Sequence, residues 1–448
     1  MLTARADQSG DFIYTTDGTS VTITGYTGSG GAVAIPDTIT NLPVTGLGTE
    51  VFASSTSLTG VTIPASITSL GDGAFSNCVN LASATIGSGV TNIGGFAFYS
   101  CTSLTTVMIG TNVTSIGAYA FYICQSLTSI TIPASVTNIG DYAFIGCSSL
   151  TAFMVDAANP AYSSADGVLF DQSTNTLIQC PIAKSGNYAI PDSVTSIANN
   201  ALSQCTRLTG VTIPDSVTSI GSYAFGDCTG LTSLTIPDSV TSIGFYAFGD
   251  CTGLTSVVIP DSVTYLGTYA FRYCNSLTNM TIGTNVTTIR PGAFYDCIRL
   301  ISLTIPASVT GIEGEAFQYC NDLKGIYFMG NAPALGSGVF QDDNNPTAYY
   351  LPGTTGWVDF AANAGIAVLP WNPQIQTGDA GFGVRTNRFG FNITGTSNMV
   401  VVVEAATNLA NPLWIPVDTN TLTGSSLYFS DPDWTNYSSR FYSAHYQP

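Results

Sequence analysis

A 23-residue period runs through most of this 448-residue chain and leaves it few ways to fold. Aligned on the string V-T-I-P, ten units of 23 residues begin at Val61, Ala84, Val107, Ile130, Tyr188, Val211, Leu234, Val257, Met280 and Leu303. Two of them, VTIPDSVTSIGSYAFGDCTGLTS and LTIPDSVTSIGFYAFGDCTGLTS, are nearly identical. No unit this short closes a core around its own apolar side chains. Stacked units do, each covering the apolar edge of the next.

The pattern within a unit is L-x-x-I-x-I-P-x-S-V-x-x-I-G-x-x-A-F-x-x-C. In one copy Ile130 and Ile132 alternate with Thr131, the period-2 signature of a half-buried strand. The proline withholds an N–H from the ladder and helps end the strand. Val136 and Ile139 turn inward again, Gly140 is expected to allow a turn with positive φ, and Ala143, Phe144 and Cys147 fill the back. In-register stacking lines up equivalent positions about 4.7–4.9 Å apart. Phe75, Phe98, Phe121, Phe144, Phe225, Phe248, Phe271, Phe294 and Phe317 then form a spine, with Leu202 as its one substitute. A second row, Tyr119, Tyr142, Tyr223, Tyr246 and Tyr269, falls just before the buried Ala-Phe and is expected to pack on the convex side with its hydroxyls in water.

The period breaks in places that suggest boundaries. Residues 1–10 read as a leader remnant or disordered start, with Ala4-Arg5-Ala6 in the form of a signal-peptidase site. Residues 11–60 read as an N-terminal cap and irregular first coil, and 61–325 as the solenoid. Inside it, 153–187 is a longer unit whose YSSADGVLFDQSTNTLIQCP segment suggests an inserted hairpin. Residues 326–370, with Asp342-Asp343-Asn344-Asn345, read as a capping coil. Beyond Asn372-Pro373-Gln374, 371–448 reads as a small β-sandwich-like domain. Its alternating runs are Phe389–Ile393, Met399–Ala406, Leu413–Asp418, Ser426–Phe429 and Phe441–Tyr446, with turns at Thr394-Gly395 and Thr423-Gly424.

The units IPDSVTSIGSYAFGDCTGLTS, the extended segment DGVLFDQSTNTLIQCPIAKSGNYAIPDSVTSI and the opening FIYTTDGTSVTITGYTGSGGAVAIPDTITNLPVTGLG strongly resemble BspA-like, or Treponema-pallidum-type, leucine-rich repeats. The likeness spans roughly residues 11 to 350. It implies a β-rich leucine-rich-repeat solenoid, a right-handed curved coil, that serves surface adhesion or protein binding without catalysis. The family has no fixed site motif, so it implies no binding residue. The tail from Phe389 to Tyr442 resembles C-terminal β modules of exported bacterial repeat proteins.

The chemistry of the chain agrees with a scaffold. Charged residues are only 8% of the chain and the net charge is −18, which disfavours nucleic acid and anionic membranes. No apolar run reaches the roughly 18 residues of a spanning helix. Ten of eleven cysteines keep the repeat register, from Cys78 through Cys320, with no C-x-x-C pair; they read as buried free thiols that donate weakly to turn carbonyls. Cys180 is off register and the best candidate for a reactive thiol, though it reads more readily as a partly buried strand residue. The single histidine, His445, has no readable catalytic partner, and Gly381-Phe382-Gly383 lacks the context of a phosphate cradle.

Two rows remain as candidate surfaces. Asp192, Asp215, Asp238 and Asp261 share one position in four consecutive coils, and Asp227 and Asp250 share another. The first row is a weak calcium candidate, though Asp also suits a turn after proline, and Ala65, Ala134 and Ala307 replace it elsewhere. The expected concave strand face presents Thr62, Thr85, Thr131, Thr212, Thr235, Thr281 and Thr304, interrupted by Met108, Met154, Ala189 and Val258. Threonine is favoured on a pleated surface for structural reasons, but such an array also suits a protein or glycan ligand. The expectation is a secreted or cell-surface protein-binding or adhesion scaffold with no cofactor, catalysis or membrane insertion. The partner is a protein, such as a host or matrix protein, or a glycan. A self-associating envelope or matrix component and a glycan- or ice-binding threonine array are the alternatives.

Overall fold

The computed structural model describes residues 6–351, 353–371, 373–385, 388–395, 400–409, 412–423 and 426–446. Expectations for Ala4 and Arg5, Asn372, Met399 and Gly424 fall outside them. The fold is a β-solenoid of about 15 turns with a C-terminal antiparallel region. The chain divides into two units, one of residues 1–303, 308–323 and 334–344, the other of 304–307, 324–333 and 345–448. No helix among the described residues is long and apolar enough to cross a membrane.

In the repeat unit each coil contributes two short strands to parallel ladders. One ladder carries the threonines: Thr62 pairs with Thr85, and Thr212 with Thr235. The other is two residues wide, joining Ser69, Asn92, Ser115 and Asn138, then Ser196, Ser219, Ser242 and Tyr265. Every step is one repeat, so like side chains align as the period requires. Phe75, Phe98 and Phe121 are fully buried and stack with centroids 5.2 Å apart, within 11° of parallel. Phe52 and Phe340 lengthen the spine in the same register, 5.0 Å from Phe75 and 5.9 Å from Phe317.

The back of each coil is a run of turns with its own hydrogen-bond ladder. The amides of Gly73, Phe75 and Asn77 donate to Gly95, Ala97 and Tyr99 of the following coil, while those between them close turns within their own coil. Aiming alternate amides at the next coil requires left-handed backbone twice per coil. Here the structure corrects the reading of Gly140. Positive φ belongs instead to the residue two later, as at Tyr119 (φ 56), Tyr142 (φ 58) and Tyr246 (φ 54), and to the residue before each in-register cysteine, as at Ile123 (φ 58) and Asp250 (φ 56). A bulky residue adopts this conformation at roughly 1–2 kcal/mol, which the inter-coil bond offsets. The Tyr119 amide, for example, donates to Asp141 at 3.0 Å. The glycine serves close approach: a Cβ on Gly140 would lie 2.8 Å from the Ala118 Cα and the Gly117 carbonyl carbon.

The long unit is more than a hairpin. Tyr162–Ala165, Val168–Asp171 and Thr176–Gln179 form a three-stranded antiparallel meander, and the third strand rejoins the parallel ladder through Ser196-Ile197. The chain's start is similar: Asp7–Ser9, Phe12–Thr16 and Val21–Tyr26 pair antiparallel before Val21 joins Val44 in parallel. At the other end of the repeats the Asp343 carboxylate accepts the Cys320 amide at 2.7 Å, and Asn344 donates to the Asn321 carbonyl at 2.7 Å. Asp-Asn side chains there replace bonds that another coil would supply.

The second unit holds a parallel ladder of Gly325–Phe328, Thr347–Tyr350 and Ala367–Pro370, with a helix, Trp357–Ala364, that the sequence pattern does not announce. Trp357 and Phe360 set their rings against Phe328. Two antiparallel sheets follow. Arg388–Thr394 pairs with Gln374–Gln376, Gly383–Arg385 and Ser426–Asp431. Val400–Ala406 lies between Ile415–Thr421 and Phe441–Tyr446. The run expected at Leu413–Asp418 thus starts later and extends to Thr421, because pairing with Val400 sets its end, not apolar alternation.

Candidate functional site

The parallel ladders of the repeat unit hold the predicted threonines at one strand position: Thr62, Thr131, Thr212, Thr235 and Thr281 are exposed and Thr85 is half-buried. In the second unit Thr304, on Ser302–Ile305, is exposed. Met108 and Val258 stand in this row 65% and 58% exposed, so the face is a hydroxyl array with apolar interruptions. Across Thr212, Thr235 and Val258 it dips into a groove of about 460 Å³ that also touches Asn187, Gly210 and Ser233. Thr212 is shared with a second depression, about 440 Å³, that reaches Asp192 and Asp215. The structure therefore brings two threonines and two aspartates of the separate rows together.

All four carboxylates of the Asp192 row are exposed. The Asp261 carboxylate accepts the Thr284 amide at 2.6 Å, and that bond holds its pKa below the usual carboxylate range. Among the described residues no three His, Cys, Asp or Glu side chains gather where they could hold a metal ion.

The turn side carries aromatic rows that the sequence reading saw only in part. Phe96, Tyr119 and Tyr142 stack at 4.9 and 5.1 Å, and Tyr99 stacks on Tyr122 at 5.5 Å. In later coils the Arg272 guanidinium lies over Tyr269, Tyr273 and Tyr295 at 4.8, 4.5 and 4.7 Å. The Tyr246 hydroxyl donates to Asp250. These tyrosines are half-covered by their neighbours, with Tyr142 the exposed one. Phe96, Tyr99 and Arg272 keep the 23-residue spacing to Tyr119, Tyr122 and Tyr295, so the period held their signal too.

The cysteine column is buried and free throughout. Most in-register thiols donate to the phenylalanine carbonyl of the preceding coil, as Cys101 to Phe75 at 3.1 Å and Cys274 to Phe248 at 3.2 Å, and Cys228 donates to the Leu202 carbonyl that replaces one of them, at 3.1 Å. Where the long unit intervenes, Cys205 reaches the Pro181 carbonyl instead, at 3.8 Å. Cys180, the reactive-thiol candidate, is only 1% exposed, more deeply buried than a partly covered strand residue, and lies 3.8 Å from the same carbonyl. Burial pushes the Cys78 thiol up to about 11 and the Cys147 thiol up to about 12. Protonated, buried thiols are poor nucleophiles. A thiol titration should find essentially none of the eleven cysteines reactive in the native protein and all of them after unfolding. Fewer than about nine in the unfolded chain would mean that neighbours in the column are crosslinked.

In the second unit His445 sits on Phe441–Tyr446 with its Nδ1 3.4 Å from Glu404. The Gly381 amide donates to Asp379 at 2.8 Å in a local turn. Gly381 also borders a cavity of about 640 Å³ with Arg385, Arg388, Asn392 and Tyr428. Two arginines in one cavity of so acidic a chain went unnoticed in the sequence, because antiparallel pairing of Arg385 with Arg388 creates their proximity.

Comparisons with known proteins agree with this architecture. The family model described as BspA type leucine rich repeat region matches residues 33–159, 179–257 and 218–347. Among solved structures, a leucine-rich repeat protein from Eubacterium ventriosum is 27% identical with a TM-score of 0.58, over 75% of this chain and 93% of that one. The pneumococcal vaccine antigen PcpA is 19% identical with a TM-score of 0.61, over 82% and 98%. A leucine-rich repeat protein from Bacteroides ovatus is 22% identical with a TM-score of 0.53, over 81% and 99%. No curated protein matches the chain. With two thirds of its length matched by this family model, the chain belongs to the BspA-type leucine-rich-repeat family.

Proposed function

We propose that this repeat scaffold is an exported or cell-surface protein that holds a protein partner against its threonine ladder and performs no catalysis. The observation that carries the reading is the groove across Thr212, Thr235 and Val258, continuous through Thr212 with the depression at Asp192 and Asp215. It combines an apolar contact, hydroxyls that give and accept hydrogen bonds, and flanking carboxylates suited to a basic rim on the partner. Extended ladder faces are the surfaces through which solenoids generally bind. Of the titratable groups that catalysis would enlist, the lone histidine pairs with a carboxylate, and the thiols are buried.

Surface plasmon resonance against a panel of extracellular matrix proteins tests this. At least one should bind with a Kd of about 1 µM or tighter, and Thr235→Arg should weaken it at least 10-fold, about 1.4 kcal/mol. Binding to none of the panel, or full binding by the variant, would remove the groove from consideration. Light scattering of the free protein separates this reading from a self-associating matrix component: a monomer at high concentration is expected.

A further inference from the structure

The aromatic row on the turn side breaks at one place, and the break has the makings of a site. Phe96, Tyr119 and Tyr142 stack, and the row resumes at Tyr223 and Tyr246. Between them lies the long unit, which has no Ala-Phe turn of its own. The row position of the next full coil is held by Asn200, left-handed at φ 60 like the tyrosines. The inter-coil bonds of the turns run as far as Ile123 to Ile145 and restart at Asn200 to Ser222. Across the gap, the Cys180 amide donates to Ala201 on one side and the Ala183 amide to Leu150 on the other. A missing layer of turn leaves a notch.

That notch is a cavity of about 310 Å³. Its apolar parts are Ile139, Ile145 and Ile178. Tyr142 forms one wall; Tyr119 covers one face of its ring, and at 38% exposure the ring is open toward the cavity. Four planar polar side chains, Asp141, Gln179, Asn199 and Asn200, complete it. The Gln179 Nε2 is buried without a hydrogen-bond partner. Asn199 commits its oxygen to the Ser222 amide at 2.7 Å, so its NH₂ is what it has left to offer. Asp141 supplies an acceptor.

We propose that this notch binds a single neutral hexose or N-acetylhexosamine residue of a glycan. A pyranose has a flat C–H face that lies on an aromatic ring, and vicinal hydroxyls that take donors and acceptors side by side. Tyr142 answers the first need; Gln179, Asn199 and Asp141 answer the second. The amide donors argue against a lysine or arginine side chain, which has no acceptor for them, and Asp141 argues against phosphates and uronic acids. At the lower end of the range for small-molecule pockets, the volume suits one ring and not a nucleotide. The site stands apart from the threonine groove, and neither reading depends on the other.

Saturation-transfer NMR on the full chain with methyl β-D-glucopyranoside, methyl β-D-galactopyranoside and N-acetylglucosamine tests the proposal. At least one sugar should receive saturation, with a Kd of roughly millimolar order and the strongest transfer to the protons of one ring face. Tyr142→Asn and Gln179→Leu should each weaken it at least 10-fold, whereas Tyr142→Phe should retain it. Asn suits the left-handed backbone there, as Asn200 shows, and an unchanged melting temperature verifies the fold. Should that variant misfold, Gln179→Leu and Tyr142→Phe still decide. Tyr223→Asn, in the unbroken stretch, should change nothing. No transfer to any sugar, equal transfer in the folded Tyr142→Asn protein, or arginine methyl ester displacing the bound sugar would overturn the assignment.

Discussion

Phe248→Ala should destabilise the repeat unit by roughly 3–5 kcal/mol, the usual cost of emptying a fully buried phenylalanine site. Phe248 is 0% exposed and lies 5.0 Å from both Phe225 and Phe271, within 12° of parallel to each. The substitution leaves the backbone bonds in place. Its amide still donates to Ala270 and its carbonyl still accepts the Cys274 thiol. The loss therefore falls on ring contacts to the two adjacent coils. In a solenoid, stability is close to a sum of coil and nearest-neighbour terms, so one weakened junction lowers the cooperativity of the whole array. A thermal or denaturant melt should shift to lower temperature or concentration and broaden, or split in two. A melt superimposable on wild type would mean that the spine carries no stability.

Asn159→Leu should cost a comparable amount, at least about 3 kcal/mol, for a different reason. Asn159 is 1% exposed and uses all four of its strongest hydrogen-bonding sites. Its Nδ2 donates to the carbonyls of Pro133 at 2.7 Å and Val136 at 2.9 Å, and its Oδ1 accepts the amides of Ala161 and Tyr162 at 2.8 Å each. This one side chain fastens the start of the meander to the turn of the preceding coil. Leucine fills similar space but leaves two carbonyls and two amides without their partner, each at about 1–3 kcal/mol when buried. Hydrogen exchange should show Ala161 and Tyr162 losing protection first. Retained protection with an unchanged melt would mean the bonds are individually dispensable.

The two variants mark how far the sequence was readable. Phe248 announces itself by recurring at a fixed spacing among apolar neighbours, and so does every cysteine that donates to a phenylalanine carbonyl. Phe52 and Phe340 keep the same spacing and were legible in principle, though irregular coils surround them. Asn159 recurs nowhere and stands between alanines and a proline. Nothing local separates it from an ordinary loop residue. Gly140 shows the limit of a correct observation: glycine answers both positive φ and close approach, and one residue letter does not say which. Thr176–Gln179 was missed as a separate strand because its neighbours are the same Ser, Thr and Asn that make turns. The threonine row was visible as a row; that Thr212 joins Asp192 and Asp215 in one depression was not.

Periodicity acts between equivalent positions one repeat apart, and stacking turns that one-dimensional spacing into contact. For this reason the sequence by itself determined the coil, its register, the phenylalanine and cysteine columns and the side of the ladder that faces water. Whatever depends on residues at unequal spacing was decided only in three dimensions. The meander's third strand, the bonds of Asn159, the meeting of Arg385 with Arg388 and the notch beside Tyr142 all arise where the repeat fails. There, packing against a neighbouring layer, or the lack of one, sets the geometry.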